Sequence, residues 1–322
     1  MTRFAKSLAL AAVVLTAAFP AFAKTDALSL VPANAVTVGM VKVSDMRSSP
    51  LSGMLFEQAD KMGGNGDAAM FLAEAGLDPK KDIDVLVVAT APLTNLGKEA
   101  DVLVAAEGRY NVERLTSALV GRGAVRKAGY YLLPDDDKHD SDQRGAVAFP
   151  DSKLAVMGNE RAVAAALTAY ANGGTAFRSA GALATDLRRI DAGATAWALV
   201  DVTRAQRLAG ARVPQSKQGG DALNAAIRNV TTMGLWATDT GDAVKLGAFG
   251  LANDGETLEL LEDTLRGALS AMRLAVKDKA PEMVSLLRRF EINRTDTSVT
   301  INGSVPASTI RDVMTKKRAA VK

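Results

Sequence analysis

Apolar runs and polar breaks follow one another along this chain in an order that predicts alternating strands and helices. Behind Arg3 and Lys6, Leu8 to Phe19 is an unbroken apolar run. Ala35 to Val43 (AVTVGMVKV) is β-branched and apolar and predicts a buried strand. Ser44 or Asp45 is placed to cap a helix near Pro50 to Lys61, which Gly63-Gly64-Asn65-Gly66 terminates. A short helix is expected at Asp67 to Ala75, closed by Gly76, and Asp78-Pro79 makes a turn. Strands follow at Asp84 to Thr90 (DVLVVAT) and Asp101 to Glu107 (DVLVAAE). Asn111 then caps a helix over Val112 to Val120 that stops at Gly121. Tyr130 to Leu133, Gly145 to Phe149 and Lys153 to Met157 read as strands, with a turn at Asp151-Ser152. The Ala-rich helix Glu160 to Ala171 ends before Gly173-Gly174.

The order then repeats. Thr195 to Val202 (TAWALVDV) predicts an opening strand, with Val200-Asp201-Val202-Thr203 matching Val41-Lys42-Val43-Ser44. A helical pattern at Asp221 to Ile227 precedes a strand at Thr232 to Thr238 (TMGLWAT), whose Ala237-Thr238 falls on Ala89-Thr90. Ala243 to Leu251 matches the strand that starts at Asp101. Asn253 and Glu256 have capping-box spacing. They open a long helix with Leu258, Leu261, Leu265, Leu269, Met272 and Val276 on one face. Pro281 interrupts it, and Met283 to Leu287 forms a short apolar turn. Ser298 to Ile301 with Gly303 matches Lys153 to Val156 with Gly158, and Ser308 to Met314 closes the order. The expected fold class is therefore α+β. It consists of two tandem diverged copies of one unit, each a mixed or antiparallel sheet packed by helices. The alternative is one irregular α+β domain. Trp197 and Trp236 fall inside strand patterns and are expected to anchor the core.

The first apolar run changes this picture from a further element to an address. Ala21-Phe22-Ala23 supplies the small-x-small pattern of a signal-peptidase site, so residues 1–23 read as a signal peptide with Lys24 next. The run is shorter than the ~20 residues that span a bilayer. The units are then 24–190 and 191–322, and the mature protein is expected in the periplasm or outside the cell, without a transmembrane segment. The chain has no cysteine. That excludes a lipid at the cleavage site, disulfides, thiol catalysis and cysteine-held metals. Stability must come from burial, for which 48% apolar residues suffice. Formal charge is +3, and losing Arg3 and Lys6 leaves the chain near neutral. Clustered positive charge, the footprint of nucleic-acid binding, is lacking. Only Lys316-Lys317-Arg318 and Lys322 are locally basic, as a solvated end.

Several segments together resemble uncharacterised exported bacterial proteins, a domain-of-unknown-function family with duplicated α/β units. They are Leu30-Val31-Pro32-Ala33-Asn34-Ala35 before a strand, and Gly76-Leu77-Asp78-Pro79-Lys80-Lys81-Asp82-Ile83 before another. Glu107-Gly108-Arg109-Tyr110-Asn111 before a helix and Ser152-Lys153-Leu154-Ala155-Val156-Met157-Gly158 complete the set. The resemblance implies a duplicated architecture and an exported location. It carries no catalytic residues.

Candidate chemistry is sparse. The densest polar cluster is Asp135-Asp136-Asp137-Lys138-His139-Asp140-Ser141-Asp142, which holds the only histidine. Asp135, Asp137, His139, Asp140 and Asp142 are the candidate metal ligands. From Asp140 the spacing to Asp142, Gly145 and Asp151 partly follows a calcium loop, but Arg144 stands where a ligand belongs. A solvated loop between strands is the expected reading. A serine–histidine–acid triad would have to use His139, which that loop leaves hydrated. Two-histidine zinc motifs are impossible, and neither S-x-x-K in the mature chain nor G-x-S-x-G occurs. Gly63, Gly64 and Gly66 follow a helix and make no phosphate cradle. The polar stretch Val213 to Gly220 (VPQSKQGG) reads as a loop, with a lid or docking segment as the sharper possibility. The expected function is an exported, non-enzymatic binding or interaction protein of the cell envelope. It needs no cofactor, and its partner is a protein or an apolar ligand. The alternatives are a hydrolase built from Ser, Lys, Asp or Glu in the cleft between the units, and a carrier enclosing a lipid-sized apolar pocket.

Overall fold

Twelve strands hydrogen-bond edge to edge into one sheet in a computed structural model of the chain. The structure describes residues 26–53, 56–57, 66–92, 100–134, 144–174, 176–209, 227, 229–277 and 281–321. In chain order the strands are β1 (Thr37–Lys42), β2 (Ile83–Pro92), β3 (Ala100–Gly108), β4 (Val125–Arg126), β5 (Tyr131–Leu132) and β6 (Gly145–Asp151). They continue as β7 (Leu154–Asn159), β8 (Ala196–Asp201), β9 (Thr232–Asp239), β10 (Ala243–Leu251), β11 (Glu291–Arg294) and β12 (Ser298–Pro306). The helices are α1 (Val43–Ser48), α2 (Gly66–Ala75), α3 (Pro79–Asp82), α4 (Val112–Gly121) and α5 (Glu160–Ala171). After them come α6 (Ala176–Ala180), α7 (Val202–Ala209), α8 (Gly255–Val276), α9 (Pro281–Leu287) and α10 (Ala307–Val321). Two 3₁₀ turns, Ala27–Leu30 and Ala184–Arg189, complete the described elements.

The strand order is β11-β12-β10-β9-β8-β1-β2-β3-β7-β6-β5-β4, and every pairing is antiparallel. The fold is thus α+β. The strands from before and after residue 190 meet in mid-sheet, where β1 pairs with β8 and Gly39 lies opposite Ala198.

Strand alternation gives the sheet two chemically different faces. On one, Val38 lies opposite Ala89 and Leu199, while Val87 and Ala105 pair across β2 and β3. These join Leu103, Val156, Trp197 and Phe249 in the main core. The Ala27–Leu30 turn, α5, α6 and the Ala184–Arg189 turn cover it. The Ala-rich α5 buries Ala162, Val163 and Ala166, small side chains that let it lie close to the sheet. Among the described residues, helices cover the other face at its ends. There α2 and α4 pack Phe71, Ala75, Leu115 and Ala118 against Leu86, Ala106 and Ala155. At the far end α8 packs Leu258, Leu261 and Leu269 against Met233, Val299, Ile292 and Ile301.

Both tryptophans lie in β8 and β9, directly opposite one another, with Trp197 buried and Trp236 half-buried. Trp236 lies over Gly247 on β10, where an added Cβ would sit 2.1 Å from the indole ring. Gly234 makes the same allowance for Phe249.

Two expected caps move. Ser44 and Asp45, expected to cap a helix near Pro50 to Lys61, lie instead inside a helix the sequence did not predict, α1, which starts at Val43 directly after β1 with no side-chain bond from Lys42 at its cap position. The long helix is capped by Asp254 and not Asn253. Asp254 Oδ1 accepts the Thr257 N–H at 2.7 Å because the helix begins at Gly255. The Asn111 cap is found as expected, accepting the Arg114 N–H at 3.0 Å. Strand β11 has no counterpart in the sequence reading. Of its four residues only Ile292 is buried, too weak an apolar signal to register. Residues 1–23, read as a signal peptide, and the stretch Val213 to Gly220 lie outside the described residues, as do half of the helix expected at Pro50 to Lys61 and all but Ile227 of the one expected at Asp221 to Ile227.

Two predictions follow from this packing. Leu199→Ala should cost about 2–5 kcal/mol, and Gly247→Val about 1–3 kcal/mol by displacing Trp236. Thermal melts measure both, and near-UV circular dichroism should lose its tryptophan signal only in Gly247→Val. The Thr257 backbone hydrogen bond holds the Asp254 carboxyl below its ordinary value of 3.8. A depressed folded-state pKa stabilises above the unfolded value, and that contribution disappears as pH falls through the folded one. The stability gap between wild type and Asp254→Ala, read by urea melts, should be full at pH 5 and shrink once pH drops below 3.8.

Candidate binding surface

The uncovered middle of the second face is the most unusual surface of the molecule. Strand register lines its residues up in straight rows across the sheet. The central row runs Met157, Val104, Val88 and Gly39 from β7 to β1. It continues as Ala198, Leu235, Ala248 and Ile301 from β8 to β12. One flanking row is Val102, Thr90, Thr37, Val200, Met233, Gly250 and Val299. The other is Ala155, Ala106, Leu86, Val41, Ala196, Ala237, Leu246 and Gly303.

No residue in the three rows is charged. The two threonines satisfy one another, their hydroxyl oxygens 2.7 Å apart in a hydrogen bond. Backbone polar groups are engaged in the ladders, so the floor offers almost only carbon to a ligand. Val88, Val102, Met157, Leu235 and Leu246 are nonetheless 37–58% exposed. A one-sided antiparallel sheet ordinarily turns polar side chains to water. A contiguous exposed apolar patch marks an interaction site.

Polar clefts lie elsewhere. One, of about 220 Å³, opens beside a bulge. Ile83 pairs with Gly108 and Val85 with Glu107, leaving Asp84 as the extra residue. Its carboxylates are already engaged. Asp84 Oδ1 accepts from Arg47 Nη1 at 2.7 Å, Glu107 Oε1 from the Ala27 N–H at 2.8 Å, and Asp151 Oδ2 from the Tyr170 hydroxyl at 2.8 Å. Beneath them, burial pushes the Tyr110 phenol far above its ordinary range, with the charges of Asp84, Glu107 and Asp82 adding to the effect. A second cleft, about 350 Å³, lies between α5 and the ends of β2 and β3, walled by Ala89, Leu103 and Ala162. At its mouth Arg161 Nε and Nη2 both donate to Asp101 Oδ2, at 2.9 and 2.8 Å.

The third cleft, about 310 Å³, gathers Asp45, Ser48, Ser49, Thr195 and Asp239 from either side of the β1–β8 pair. This is where a hydrolytic site across the units would be sought. Ser48 donates to the Asp45 carbonyl at 2.9 Å, Ser49 Oγ accepts the Leu51 N–H at 3.0 Å, and Thr195 Oγ1 accepts the Asp239 N–H at 3.0 Å. Each hydroxyl thus serves a backbone group, Ser48 and Ser49 within their own turn and Thr195 across to the end of β9.

The candidate ligands Asp135, Asp137, His139, Asp140 and Asp142 lie outside the described residues. Among the described residues no group of three or more His, Cys, Asp or Glu is arranged to hold a metal ion, and no helix is long and apolar enough to cross a membrane. Trp197 and Trp236 belong to the core side of the sheet. The uncharged rows escape the sequence reading because each strand is a continuous apolar run, which predicts burial on both sides. What the strands do signal is the lack of charge itself.

No family model and no curated protein matches the chain. Solved structures do. Crystal form III of TP0453 is 10% identical, with a TM-score of 0.51 over 91% of this chain and 99% of that one. Crystal form I, also 10% identical, has a TM-score of 0.48 over 91% and 98% of the two chains. The likeness to form III is one of fold.

Proposed function

We propose that this chain is an exported, non-enzymatic binding protein of the cell envelope, and that it binds through the uncharged middle of its sheet. The observation that carries the reading is the set of three aligned rows without a charge, with five large apolar side chains left open to water. Burying such a surface is favourable by about 25 cal/mol per Å², and no ion has to be stripped of water first. Export rests on the signal-peptide pattern of residues 1–23.

The reading includes tandem duplication, which pairing patterns support. Going outward from the central pair, β1-β2-β3-β7-β6 on one side and β8-β9-β10-β12-β11 on the other follow the same succession. A two-fold axis through Gly39 and Ala198 equates Val43 with Val202, the first residues of α1 and α7. It equates Val88 with Leu235 and Met157 with Ile301, through the registers they share with β1 and β8. Asn111 and Asp254 then cap corresponding helices α4 and α8. This alignment sets Ala89 on Trp236, one residue away from the match with Ala237 read from sequence.

The test uses the neutral dye N-phenyl-1-naphthylamine with dilute full-length protein. Wild type should brighten the dye. Val88→Lys and Leu235→Lys should each weaken its binding roughly tenfold or more, since an unpaired polar group set against an apolar ligand costs ~1–3 kcal/mol. Both positions are exposed, so melting temperatures should stay at the wild-type value. Wild type that leaves the dye dark, or lysine variants that bind it undiminished, would refute the reading.

A further inference from the structure

We infer that the occupant of the open face is a second copy of this chain, docked face to face. The inference names the partner of the surface proposed above and rests on that reading.

Charge is the first argument. Charged partners are selected by complementary charges, and the three rows present none. The surface that suits them is equally uncharged, and the face itself is such a surface.

Shape is the second. Helices α2 and α4 stand over the quarter of the face that contains Leu86, Ala106 and Ala155. Helices α8 and α9 stand over the diagonally opposite quarter, around Met233 and Val299. Among the described residues no helix is packed over the quarters around Val102 and around Leu246, and both residues are exposed, although Phe290 lies over Gly303 beside Leu246. Turn a second copy over about a two-fold axis lying parallel to the sheet, and its helices land on those two quarters. The contact is isologous, each copy giving helices and receiving them. The outer sides of these helices suit the role. Met70 on α2, Val120 on α4, and Leu260 and Leu274 on α8 are all exposed apolar residues.

Area is the third. Eight strands ~4.8 Å apart and three same-face rows ~6.8 Å apart make a face of roughly 750 Å². The bare half of it, plus a similar area of helix from the same copy, again comes to about 750 Å² per copy. A stable interface buries about 800 Å² per partner.

Sedimentation velocity of the full-length protein over a hundredfold concentration range is the decisive measurement. Wild type should run as a dimer at the upper end. The double variant Val88→Glu/Leu235→Glu, and separately Leu274→Glu on α8, should run as monomers with unchanged melting curves. Val313→Glu, on α10, which packs with β10 and β12 away from α8, should leave the dimer intact. Dye brightening per molecule should fall in wild type as dimer forms. A wild type that stays monomeric throughout overturns the inference, as does a dimer that survives both open-face and α8 variants. If that monomer still brightens the dye, only the identity of the partner is wrong; if it leaves the dye dark, the binding surface itself is refuted.

Discussion

The antiparallel ladder between β1 and β8 is the contact on which the rest of the molecule depends. It aligns Thr37 to Val41 with Val200 to Ala196, and main-chain bonds extend it at both ends, from Lys42 N–H to the Thr195 carbonyl and from Asp201 N–H to the Val36 carbonyl, each 2.8 Å. Through it the main core runs without a break from Val156 and Leu103 to Leu199, Trp197 and Phe249. Neither half of that core would be closed without the other. The ladder also sets register. A slip of one residue would exchange the two faces of every strand on one side. Were it the β8 side, Leu199 would meet water while Ala198, too small to fill the space, would face the core.

Much of this was legible in the chain before folding. The helix Glu160–Ala171 and the strand Ala243–Leu251 fall at the boundaries that periodicity and turn residues mark. Other strands extend by a residue or several, as β2 does from Asp84–Thr90 to Ile83–Pro92. Asn253 and Asp254 are adjacent and chemically equivalent as caps, so spacing alone cannot choose between them; the helix start at Gly255 does. The surface was less legible for a different reason. Whether Leu235 is buried depends on which helix lies over it, and helix placement is decided by long-range packing that no local pattern records. An apolar strand run is consistent with a core and with an open floor alike.

The acidic residues of the first two clefts, Asp84, Glu107, Asp101 and Asp151, each hold a donor from another element, whereas Asp239 in the third accepts the Gly241 N–H of its own turn. Glu107 fastens the Ala27–Leu30 turn over the core, and Arg47 ties α1 to β2 through Asp84. Most such half-exposed pairs contribute only ~0–1 kcal/mol each. Their value is positional: they fix where the covering elements cross the sheet, and so which part of it stays bare.

The two outermost strands are short. Strand β4 has two residues, and β11 has four, among them Glu291 and Arg294. Such stubs give an incoming chain little backbone to pair with, and the charges on β11 oppose stacking against an uncharged segment. A protein that exposes so much carbon would otherwise be prone to sideways polymerisation into ribbons or fibrils. With its lateral borders blunted, growth in that direction stalls, and stickiness is confined to the one plane where it can saturate.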